Sequence, residues 1–70
     1  MSGKTKLTVQ LPDEAIGHIE ELAKLLSVSR TDAIRRALKT ELFLLKEQRA
    51  GKKILLRDEK NDSTMEVVML

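Results

Sequence analysis

The nine residues KTKLTVQLP, from Lys4 to Pro12, constrain this chain more than any others, because they form the only extended run in its first fifty residues. Their alternation is strict. Leu7, Val9 and Leu11 fall on one side and Lys6, Thr8 and Gln10 on the other, the period of a half-buried strand. A lone strand with one apolar face is unstable by itself. The spacing therefore predicts a short N-terminal β-strand whose partner must come from elsewhere.

Seventy residues make one domain at most, and a domain of that size buries so little surface that it usually needs a staple, a metal or a partner chain. There is no cysteine, which removes disulfides and thiolate zinc sites together and suits a reducing cytosol. His18, the single histidine, cannot build a metal site alone, and no HExxH, phosphate-loop or nucleophile-elbow pattern is present. The expectation is a chain without catalysis, metal or cofactor, stabilised by oligomerisation. With Phe43 as its only aromatic it is poorly equipped to stack bases on rings. No run approaches the ~20 apolar residues of a membrane span, and the N-terminus has no apolar core of a signal peptide, so a cytoplasmic location without membrane contact is expected.

Pro12 and Asp13 end the strand and open a helix, since proline is tolerated in a first turn and Asp13 and Glu14 suit the positive end of a helix dipole. Up to about Leu26, the residues Ala15, Ile16, Ile19, Leu22, Ala23 and Leu26 fall within an arc of roughly 120°. Ser29 then stands three residues before Asp32, as in a capping box, so a second helix starts near Ser29 or Arg30. Its apolar residues, among them Ala33, Ile34, Ala37, Leu38, Leu42, Leu44 and Leu45, spread over about 180°, enough for two neighbours, before Gly51 offers a stop. Beyond it, KKILLR and TMEVVML flank the turn-rich DEKNDS and read as a β-hairpin, with a frayed tail as the alternative. Residues 1–50 and 51–70 are thus taken as a domain and a C-terminal extension.

The net charge of +2 is unevenly spread: +2 over residues 1–12, −3 over 13–26, +3 over 27–50 and zero over 51–70. If the strand and the second basic segment share a face, that face attracts a polyanion.

A basic alternating strand, a proline turn, an acidic amphipathic helix and a longer basic helix opening with S-R-T-D together resemble the ribbon-helix-helix transcriptional repressors of the Arc/MetJ/CopG type. The resemblance spans residues 4 to about 50. It implies a mainly α fold in which the N-terminal strand pairs antiparallel with that of a second chain, giving an intertwined homodimer with Leu7, Val9, Leu11, Ile34 and Leu38 in its core. It also implies double-stranded DNA as partner, read in the major groove by Lys6, Thr8 and Gln10, whose side chains can pair with guanine, thymine or adenine edges. Backbone amides and hydroxyls at Ser29, Arg30 and Thr31 would hold a DNA phosphate. Relatives often carry glycine or asparagine at the end of the first helix, where this chain has Ser27.

Blander readings exist for each group. By alternation alone, Lys6, Thr8 and Gln10 suit an ordinary solvated face, and Ser29 and Thr31 suit simple capping. Arg35, Arg36 and Lys39 read as a solvated helix face, His18 as a surface histidine. Phe43 projects away from Ile34 and Leu45, and the expectation is that the tail, or that of a mate, covers it. The expected function is a sequence-specific transcriptional regulator, a repressor in the first instance, assembling on DNA in the nucleoid as a dimer or a higher oligomer. The alternative is an antitoxin whose C-terminal segment binds a toxin protein.

Overall fold

The computed structural model describes residues 3–69. Two helices, α1 (Asp13–Leu26) and α2 (Arg30–Arg49), precede two strands, β1 (Ile54–Asp58) and β2 (Ser63–Val67), which pair antiparallel as the chain's only described sheet. The expected N-terminal strand is not formed: residues 3–12 carry no strand, and among the described residues the only ladder joins β1 to β2 within the chain. The fold is therefore two helices followed by a C-terminal hairpin, not a strand followed by two helices with an intermolecular ribbon. The reason is physical. A strand exists through its ladder bonds, and residues 3–12 gain none from their own chain.

The chain divides into two compact units, one ending at Ile34 and one beginning at Arg35. In the first, Pro12 caps α1 with extended backbone, its carbonyl accepting the Ala15 and Ile16 N–H groups at 3.0 and 3.2 Å. Asp13 and Glu14 occupy the first turn and Lys24 the last, each matched to the nearer pole of the dipole. Ala15, Ile19 and Ala23 are half-buried along the predicted stripe, whereas Leu25, off the stripe, is 76% exposed. The helix ends at Ser27, whose φ of 55° and ψ of 46° are left-handed. There the Val28 N–H reaches the Ala23 carbonyl at 3.0 Å and the Ser27 N–H that of Lys24 at 3.2 Å, the paired bonds of a Schellman motif.

In the second unit α2 ends by the same device. Gly51, at φ 94°, donates to the Gln48 carbonyl at 3.0 Å, and Lys52 donates to that of Glu47 at 3.2 Å. The Lys52 ammonium also meets the Glu47 carboxylate at 2.7 Å, anchoring the root of the hairpin. Cross-strand partners are Ile54 with Val67, Leu55 with Glu66, Leu56 with Met65, Arg57 with Thr64 and Asp58 with Ser63. The sequence expectation of a hairpin between KKILLR and TMEVVML agrees with this register. Its turn is organised by Asp58, whose carboxylate accepts the Lys60 and Asn61 N–H groups at 3.1 and 3.2 Å and the Asn61 side-chain amide at 2.8 Å. These bonds, from the Asn61 side chain first, hold the Asp58 carboxyl below its ordinary value, although the residue is fully exposed. Arg57 donates to the Thr64 hydroxyl at 3.0 Å and pairs with the Asp62 carboxylate.

Among the described residues only Ala33 is buried. Half-burial of Leu44, Leu45, Ile54, Val67 and Met69 marks what apolar cover the second unit has. Phe43 remains 60% exposed, so the chain's own tail does not cover it. No described helix is long and apolar enough to cross a membrane.

Candidate nucleic-acid interface

Lys6, Thr8 and Gln10 lie in the unpaired segment before α1 and are exposed. The apolar residues interleaved with them are exposed too, Leu7 at 82%, Val9 at 59% and Leu11 at 42%. The period-2 pattern is therefore a pattern in sequence with no burial behind it inside a single chain. Ile34 and Leu38, expected in a dimer core, are 40% and 66% exposed. With Leu42 and Leu45 they follow one another at four-, four- and three-residue steps, so at 100° per residue they share a stripe about 80° wide on α2.

The start of α2 is built as its residues dictate. The Ser29 hydroxyl accepts the Asp32 N–H at 3.1 Å, and the Ser29 carbonyl accepts the Ala33 N–H at 2.9 Å. The N–H groups of Arg30 and Thr31 meet no acceptor among the described residues, as expected of a first helical turn. Capping and open donors thus coexist at one turn: the cap uses a side-chain oxygen and leaves two backbone donors facing outward. Such a turn suits an anion. Arg30 approaches the Glu20 carboxylate of α1 at 3.7 Å, with both side chains more than half exposed. A contact of that length and exposure holds the guanidinium weakly.

No hydrogen bond or ion pair joins Lys6, Thr8 or Gln10 to Ser29, Arg30 or Thr31 among the described residues. His18 is exposed on α1 and, with Glu21, Leu22 and Leu25, lines a shallow apolar depression of about 230 Å³. Two features escaped the sequence reading. Glu20 as the neighbour of Arg30 needs the turn geometry and had no local signal. Asp58 as turn organiser was visible in principle, because aspartate three residues before asparagine is a favourable arrangement for side-chain-to-backbone bonding in turns.

Neither the curated proteins nor the solved structures gave a match to this chain. A family model did: that of the ribbon-helix-helix protein, copG family, over residues 5–42. That span exceeds half the chain and takes in α1, the capped turn and most of α2, together with the alternating segment before them. The chain belongs to the ribbon-helix-helix proteins of the CopG family, a family of DNA-binding transcription regulators.

Proposed function

We propose that this protein is a cytoplasmic, nucleoid-associated, homodimeric, sequence-specific repressor that occupies operator DNA, with Lys6, Thr8 and Gln10 contacting base edges in the major groove. Lysine suits guanine O6 and N7, glutamine the N6 and N7 pair of adenine, and threonine a base edge or the thymine methyl. The open amides of Arg30 and Thr31, with the Ser29 and Thr31 hydroxyls and the Arg30 guanidinium, hold a backbone phosphate. Leu7, Val9, Leu11, Ile34 and Leu38 meet their counterparts in the second copy.

The observation that carries this reading is the family match, because its span of 5–42 includes every one of these residues. The exposure of the same apolar side chains in the single chain adds support, since they have no cover of their own and gain it on association. An antitoxin on the same framework is the second reading. A segment that folds only on its partner is expected to be polar, whereas residues 54–67 already form a hairpin, which favours a regulator with its own C-terminal element.

The test is a footprint of the purified full chain on the DNA upstream of its own reading frame, with random DNA as competitor and salt as a second variable. A protected, two-fold-symmetric site whose affinity falls as salt rises is expected. Equal affinity for specific and random DNA would remove the repressor assignment, and co-purification of a stoichiometric small protein that blocks toxicity would select the antitoxin.

A further inference from the structure

Arg30 opens α2 at the turn that the proposed function gives to a DNA phosphate, and its guanidinium already has a neighbour. The Glu20 carboxylate, carried on α1, lies 3.7 Å from it within the same compact unit. Both side chains are more than half exposed, so the contact has only the modest strength of an exposed ion pair. Its position gives that small energy leverage. A phosphate approaching the open N–H groups of Arg30 and Thr31 meets the same guanidinium, with the carboxylate beside it.

Two anions then compete for one cation. While Glu20 holds the guanidinium, Arg30 has to leave that pair before it can give charge-assisted hydrogen bonds to a phosphate. Once it has left, the carboxylate stays on α1 and repels the phosphate at short range. Both effects have the same sign, and both weaken backbone contact. Neither acts on sequence preference, since a phosphate contact carries no sequence information of its own. Glu21 provides the contrast. It carries the same charge on the same helix, but it lines the shallow depression with His18, Leu22 and Leu25 and makes no ion pair among the described residues.

We infer that Glu20 is a positioning residue that restrains DNA-backbone binding: by holding and then opposing Arg30, it lowers affinity for operator and for random DNA by a common factor. The inference rests on the reading of the α2 turn as a phosphate site. Non-specific binding consists almost wholly of backbone contacts, so Glu20 shortens the time spent on DNA that lacks the operator.

The test measures dissociation constants of the full chain and its variants on the DNA upstream of its own reading frame and on random duplex of the same length. Glu20→Gln should tighten both by roughly two- to five-fold for each turn engaged, the range that an exposed pair supports. Glu21→Gln should give less than half of that gain in log affinity, and in an Arg30→Ala background the gain from Glu20→Gln should at least halve. The Tm of Glu20→Gln should stay level or fall slightly, because an ion pair is lost. Equal gains from the two glutamate variants would reduce the effect to net charge, and an undiminished gain without Arg30 would detach it from that residue. Either result overturns the inference, as does no gain at all or a gain matched by a rise in Tm, which would assign it to folding. The expected gains in a parent chain that prefers no sequence would sustain the inference while the repressor reading falls, whereas a parent that binds no DNA would remove both.

Discussion

Ser27 and Gly51 close the two helices with the same pair of Schellman hydrogen bonds, yet only one of them is a glycine. A residue with a Cβ pays roughly 1–2 kcal/mol to sit in the left-handed region that Ser27 occupies at φ 55°. Replacing it with glycine removes that cost but adds about 0.4–1 kcal/mol of unfolded-chain entropy. The net expectation for Ser27→Gly is stabilisation by about 0.5–1 kcal/mol per chain, and for a chain of this size that raises Tm by roughly 2–8 °C. Gly51→Ser is the mirror experiment. A Cβ there would meet nothing within 4 Å, so its cost is conformational and of similar size with opposite sign. Thermal unfolding followed by circular dichroism, at one fixed chain concentration, measures both. Because the two sites close different helices, the double variant should fall near the parent. If Ser27→Gly leaves Tm unchanged or lowers it while Gly51→Ser is neutral, the backbone at these two positions does not set the helix ends as argued.

Gln10→Ala should relax base preference at one position per half-site by about 1–3 kcal/mol, read as the ratio of specific to random affinity; equal losses on both would show that Gln10 does not read bases. Arg30→Ala should weaken binding to all sequences alike and reduce the slope of log affinity against log salt by about one, and an unchanged slope would place Arg30 away from phosphate. Leu38→Ala should cost about 2–5 kcal/mol per copy in dimer dissociation if that side chain is buried between copies. A loss of only a few tenths would match its 66% exposure in the single chain and remove it from the core. Because the folded Asp58 carboxyl titrates below its ordinary value of 3.8, its contribution to the turn is present above that value and is lost as pH falls through the lowered one. Carbon-detected NMR titration should place its midpoint below 3.8, and Asp58→Ala should speed amide exchange at Lys60 and Asn61 at neutral pH; a midpoint at or above 3.8 would contradict the hydrogen bonds described.

Both helices were legible because each carries its own instructions: an amphipathic stripe around Ile19, a proline and two acids at one start, Ser29 and Asp32 at the other. The hairpin was legible too, from two apolar runs around a turn-rich segment. The N-terminal strand was misread for a reason that lies in the same physics. Alternation at Leu7, Val9 and Leu11 records which side chains avoid water, but not whether the molecule that shields them is the same chain. The cap at the start of α2 was foreseeable from Ser29 and Asp32. The left-handed Ser27 was not, because serine carries no strong preference for that conformation and the paired bonds from Ser27 and Val28 become visible only in three dimensions.

A chain that buries, among its described residues, one alanine, Ala33, stores almost none of its folding free energy within itself. Its folded fraction is then governed by mass action, and copy number becomes a folding variable. For a two-chain product formed from weakly structured monomers, active regulator rises with nearly the square of synthesis at low expression and linearly once pairing saturates. Solitary chains, with their backbone open, are the form that proteases remove first. The same bareness that leaves the single chain without a core would give the cell a threshold, above which a modest increase in translation yields a disproportionate increase in assembled regulator.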